Sequence, residues 1–112
     1  MAPLRLVARV EDVPPGQTRF FCLEGRSVVI ANQDNRFFAL DGICPHKGFE
    51  LERAQLCDFV IECPWHHYQY DIRTGENCLP KTVYPRDLAE RVQPLATYRV
   101  ELKGSEIWVE LA

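Results

Sequence analysis

No stretch of this chain approaches the ~18 uninterrupted apolar residues that a membrane-spanning helix needs. Positive charge is not in excess either. Thirteen Lys and Arg stand against sixteen Asp and Glu, a net charge of −3. A nucleic-acid binder would need a concentrated basic face, so neither a membrane nor a nucleic acid is expected as a partner. Glycine is sparse, at six in 112 residues, and none forms a nucleotide-binding loop. The cysteines number five, and an odd count does not suit a secreted disulfide scaffold. In a reducing compartment cysteines are core fillers, metal ligands or catalysts. The opening segment, MAPLRLVARVEDVPPG, lacks a hydrophobic signal core and a twin arginine. It turns acidic at Glu11-Asp12, so a cytoplasmic protein with an intact start is expected. Repeats, low-complexity tracts and linkers are absent, and the length suits one domain.

What is present is a succession of short apolar or alternating runs broken by turn residues. Phe20-Phe21-Cys22-Leu23, Val28-Val29-Ile30-Ala31 and Phe37-Phe38-Ala39-Leu40 are separated by Glu24-Gly25-Arg26 and Gln33-Asp34-Asn35. This predicts three strands joined by two tight hairpins. Phe59, Ile61 and Cys63 alternate with Val60 and Glu62, a further strand signature. Tyr68 to Ile72 is another, ending at Arg73-Thr74-Gly75. Near the end, Tyr98, Val100 and Leu102 alternate with polar residues, as do Ile107, Val109 and Leu111. Gly104-Ser105 stands between these runs as a two-residue loop. The single helical hint is residues 86–92, bounded by Pro85 and Pro94. The expected fold is all-β and antiparallel. A framework of residues 1–41 and 82–112 carries an insert of residues 42–81.

That insert concentrates the chemistry. All three histidines and three of the five cysteines fall in CPHKGFELERAQLCDFVIECPWHHYQYD, Cys44 to Asp71. Cys44-Pro45-His46 is a C-x-H pair. Beyond sixteen intervening residues, Cys63-Pro64-Trp65-His66 is a C-x-x-H pair. Each supplies one thiolate and one imidazole from a short loop that proline stiffens. Two metal readings fit. A structural zinc site would use two sulfurs and two nitrogens, but zinc fingers usually pair like with like, and here each loop is mixed. A two-iron, two-sulfide cluster with both cysteines on one iron and both histidines on the other suits interleaved pairs, because each loop reaches both irons.

These residues resemble the Rieske iron–sulfur family, and specifically its small soluble ferredoxins. The likeness extends to Phe38-Ala39-Leu40 before the first loop, Gly48 after it, Asp71 with Thr74-Gly75 after the second, and the closing strand pair. It implies a Rieske-like antiparallel sandwich or barrel framework with a cluster-binding subdomain inserted. It implies one [2Fe-2S] cluster, with Cys44 and Cys63 on the buried iron and His46 and His66 on the outer one. Trp65, Tyr70 and Pro80 are expected around the cluster: Trp65 as a shield, Tyr70 as a hydroxyl donor to sulfur, and Pro80 in a third covering loop. His67 departs from the family, which usually has glycine there, and it is expected to be a spectator. The positions of the extra disulfide found in high-potential members hold Phe49 and Trp65, and their serine is replaced by Tyr68. With fewer hydrogen bonds to sulfur, a potential in the low part of the Rieske range is expected.

The resemblance further implies a monomeric electron carrier, not an enzyme. It would take electrons from a flavin-dependent NAD(P)H reductase and deliver them to a terminal oxygenase. A second reading is the small Rieske subunit of a larger reductase, such as assimilatory nitrite reductase. Such subunits often lack the ligands, and this chain keeps all four. Cys22 and Cys57 are expected in small apolar core positions. A Cys57–Cys78 bridge is not expected in a reducing compartment.

Overall fold

The computed structural model describes residues 4–43, 50–64, 68–79 and 94–111. These form ten strands and one short 3-10 turn: β1 Leu4–Arg9, the turn Val10–Asp12, β2 Thr18–Leu23, β3 Arg26–Gln33, β4 Arg36–Asp41, β5 Gln55–Cys57, β6 Val60–Glu62, β7 Gln69–Asp71, β8 Asn77–Leu79, β9 Thr97–Lys103 and β10 Glu106–Glu110. Every pairing is antiparallel. Six strands make one sheet in the order β1-β10-β9-β4-β3-β2. The other four make a second, β5-β6-β7-β8. The expected helical turn at residues 86–92 lies outside the described residues.

Turn chemistry sets the hairpins. Asp34 and Asn35 both take positive φ, 55° and 66°, between β3 and β4. Two consecutive left-handed residues match the right-handed twist of the flanking strands. Glu24 and Gly25 do the same between β2 and β3, at 50° and 81°. The β3–β4 turn is also held from within. Asn32, 1% exposed, donates from Nδ2 to the Val13 carbonyl at 2.7 Å and accepts the Asn35 N–H at Oδ1 at 2.7 Å.

The large sheet curls into a barrel-like framework, and β3 is its shared wall. Val28 and Ile30 pack into one core with Ala39, Ile107 and Val109. Val29 and Ala31, pointing the other way, pack with Leu51, Ile61, Cys63, Tyr70 and Ile72 of the insert. All four of these β3 residues are fully buried. That explains why this strand reads as an unbroken apolar run: a strand covered on both faces has no polar side to show. The framework core therefore lies on one side of β3, and the insert packs on the other.

Two expectations about cysteine are corrected. Cys22 and Cys57 are exposed, not core fillers. Strand alternation puts Cys22 on the opposite face from its neighbours Phe21 and Leu23, which pack on the framework core. In β5 it turns Leu56 inward and leaves Cys57 outside. Cys57 donates to Asp58 Oδ2 at 4.0 Å and Cys78 to the Glu76 carbonyl at 3.7 Å. They stand on β5 and β8, the two outer strands of the four-stranded sheet. Three strand spacings, roughly 14 Å, separate those strands, well beyond disulfide reach.

Candidate metal centre

Both Cys/His loops start and end on backbone hydrogen bonds. Ile43 and Glu50 form an antiparallel bridge at the base of the first, and the Leu51 N–H donates to the Gly42 carbonyl at 2.8 Å. The second springs from the end of β6, where the Cys63 N–H donates to the Tyr68 carbonyl at 2.7 Å. The two bases lie side by side because Leu51 and Cys63 belong to one apolar cluster, each 1% exposed. A cleft of about 310 Å³ opens beside them, lined among the described residues by Glu50, Glu52, Arg53 and Pro64.

Gly42 explains how the first loop leaves the framework. Its N–H donates to the Ser27 carbonyl at 2.8 Å. A Cβ there would meet Ser27 Cβ at 2.7 Å and the Phe20 ring at 2.9 Å. Only glycine lets β4 pass this close to β3 before turning into the insert.

Of the expected ligands, Cys63 is described and is buried. Cys44, His46 and His66 lie outside the described residues, as do Trp65, His67 and Pro80. Among the described residues no group of three or more His, Cys, Asp or Glu could hold a metal ion. The chemistry of the described donor fits an iron–sulfur cluster: a soft thiol buried among apolar residues directly after β6, in one cluster with Leu51 at the base of the other loop. Tyr70 is fully buried in the same cluster as Cys63, on β7 opposite Ile61. Next to it, Asp71 receives a two-pronged bond from Arg73, Nε at 3.0 Å and Nη2 at 2.8 Å. The Arg73 guanidinium holds the Asp71 carboxyl below its ordinary pKa, burial partly opposing it.

Sequence reasoning missed the grip on the start of β6. Phe59 belongs to a two-residue turn with Asp58, at φ 65° and 47°, and β6 proper begins at Val60. No signal marked this turn, because phenylalanine is not a left-handed turn former. β1, β5 and β8 were also unmarked.

An antiparallel β framework with a small second sheet, and the bases of two Cys/His loops held in one apolar cluster, defines a class of protein that carries a metal centre between loops. Comparison with known proteins makes this specific. The Rieske [2Fe-2S] domain model matches residues 4–99, and the chain belongs to that family. The ferredoxin component of a biphenyl 2,3-dioxygenase from Rhodococcus jostii is 31% identical over 101 residues, covering 89% of this chain and 85% of the relative. The ferredoxin of carbazole 1,9a-dioxygenase from Nocardioides aromaticivorans superposes with TM-score 0.81 at 26% identity, covering 99% of this chain and all of that one. A ferredoxin solved in complex with the oxygenase of carbazole 1,9a-dioxygenase superposes at 0.79, also at 26% identity, covering 96% of this chain and 92% of that one. The chain is thus an electron carrier with one [2Fe-2S] cluster. No described helix is long and apolar enough to cross a membrane.

Proposed function

We propose that Cys44 and Cys63 hold the inner iron of the cluster and His46 and His66 the outer one. The protein then passes single electrons from a flavin-dependent NAD(P)H reductase to a terminal oxygenase. The observation that carries this reading is Cys63: a buried thiol at the mouth of a loop pinned beside a second loop of matching C-x-H pattern. When bound, the cluster supplies one-electron redox chemistry.

The rest falls to this chain's own residues. Leu51, Ile61 and Tyr70 keep water from the Cys63 side, lowering the local dielectric. The bonded loop bases restrict movement, so little reorganisation accompanies each transfer. Tyr70, buried in the same cluster as Cys63, is assigned as a hydroxyl donor to the cluster sulfur. Trp65 and Pro80 are assigned as covering residues and His67 as a spectator. The carrier is read as a cytoplasmic monomer, one domain with framework 1–41 and 82–112 and insert 42–81. The dioxygenase ferredoxins among the relatives favour a free carrier over a nitrite reductase subunit.

Absorbance and EPR spectra of the purified protein test the ligand set. A red-brown protein with the signature of a nitrogen-ligated [2Fe-2S] cluster is expected. Cys63→Ser should abolish it, and His67→Ala should leave it intact. A colourless, zinc-loaded protein would sink the reading. Reduction by NAD(P)H with a purified flavin reductase, followed by reoxidation on adding a terminal oxygenase, tests the partners.

A further inference from the structure

Two groups of contacts tie the insert to the framework in addition to the apolar packing on β3 and the Leu95–Gly75 hydrogen bond. One is the Gly42 end, where Leu51 N–H bonds Gly42 and Thr18 Oγ1 donates to the Ala54 carbonyl at 3.1 Å. The other is a cluster around Phe59. Its ring lies under two guanidinium groups, Arg73 at 4.5 Å and Arg36 at 5.4 Å from the centroid. Phe38 meets it edge-on, centroids 6.1 Å apart and planes at 82°. Its N–H donates to Gln33 Oε1 at 3.1 Å, and its carbonyl accepts the Ile72 N–H at 2.9 Å. Gln33, Arg36 and Phe38 belong to the framework hairpin β3–β4, whereas Ile72 and Arg73 belong to the insert.

All this is built around an unfavourable backbone. Asp58 and Phe59 both sit at positive φ, and a bulky side chain there is a genuine outlier. Asn-Gly would make the same turn without strain. Such strain persists only where the surroundings over-determine it, and it clusters at sites with a task. Here the surroundings are the two cations, the Phe38 edge and the two hydrogen bonds.

We infer that Phe59 is a positioning residue for the metal centre, a clasp that locks the start of β6 to the framework and so sets where Cys63 stands. The inference rests on Cys63 being a ligand, as proposed above. Only Val60, Ile61 and Glu62 separate Phe59 from Cys63, roughly 13 Å of extended chain. β6 is paired on both sides, to β5 and β7, so it moves as one body. Arg73 is itself fixed by its two bonds to Asp71, next to Tyr70. One ring thus ties together the framework, the strand that ends at Cys63 and the strand that carries Tyr70.

The test uses the cluster-loaded protein and compares Phe59→Ala, Phe59→Gly and Phe59→Tyr at equal iron content. The Ala and Gly variants should both broaden the EPR lines and shift the midpoint potential, because each loses the ring. The Ile72 amide should exchange at least about tenfold faster in both. Phe59→Tyr keeps the ring and should match wild type. A Phe59→Ala protein with wild-type line shape and potential overturns the inference. So does a Phe59→Gly protein that behaves as wild type, since the backbone alone would then be at issue. If Phe59→Ala does not fold, Arg36→Gln keeps the ring and removes one cation. It should change line shape and potential in the same direction but less, and no change overturns the clasp. A wild-type spectrum lacking nitrogen-ligated iron would instead sink the ligand assignment, while the Ile72 exchange would still report on the clasp itself.

Discussion

Two glycines with nearly the same backbone conformation provide a controlled test of how the insert is tied down. Gly75 and Gly25 have φ of 79° and 81°. Alanine at either must adopt the left-handed conformation, costing about 1–2 kcal/mol. At Gly25 nothing lies within 4 Å of the added Cβ, so that is the whole expected effect. At Gly75 the Cβ would fall 1.8 Å from the Leu95 carbonyl oxygen, where ordinary contact begins at 3.4 Å. That oxygen belongs to backbone, so Leu95 itself must move. Its N–H now donates to the Gly75 carbonyl at 2.7 Å, and its side chain is 2% exposed in the insert core. Losing the bond costs about 1 kcal/mol. Partial withdrawal of a buried leucine adds about 1–2 kcal/mol. Gly75→Ala should therefore destabilise by about 3–5 kcal/mol, against about 1–2 for Gly25→Ala. For a domain of this size that means a fall in Tm of roughly 12–20 °C against roughly 4–8 °C. Circular dichroism melts of the cluster-loaded variants at one scan rate measure both. Equal shifts would refute the argument, because the contact with Leu95 would then carry no weight.

Two further outcomes are expected. Asn32→Ala removes both bonds of a buried amide and strands the Val13 carbonyl. It should cost about 2–4 kcal/mol, read by thermal or urea unfolding, and Asn32→Asp should not rescue it, because carboxylate oxygens cannot donate to that carbonyl. Asp71, its pKa lowered chiefly by hydrogen bonding to Arg73, contributes stability that is fully present above its unfolded value near 4. That contribution is lost as pH falls through the lower folded value. A series of melts from pH 6 to pH 2 should thus show a smaller acid-side slope for Asp71→Asn than for wild type.

Much of the fold was legible from pattern. The three-stranded hairpin unit, the closing pair β9–β10 and the strands at Val60 and Tyr70 each announce themselves by alternation or by turn residues, because those signals are local. β1, β5 and β8 escaped because their side chains do not alternate cleanly. Leu4–Arg9 pairs with β10 through a register shift between Leu6 and Ala8. β5 and β8 are three residues each and owe their existence to their neighbours. The cysteine misreading has a similar cause. Cys22 and Cys57 are small and apolar, but composition does not say which face of a strand a residue occupies. Among the site residues, the C-x-H and C-x-x-H spacing marked the proposed donors, whereas the grip of Phe59 on the framework left no trace in residue type.

The sequence by itself determined the chemistry and the family. Ligand spacing and turn residues act over a few positions, and these are independent of how distant segments meet. Only the tertiary structure decided that β3 is covered on both faces and that Gly42 and Gly75 sit where no side chain fits. It alone placed Phe59 against one arginine of the framework and one of the insert. Those outcomes depend on contacts between segments far apart in the chain, where packing and burial overrule local preference.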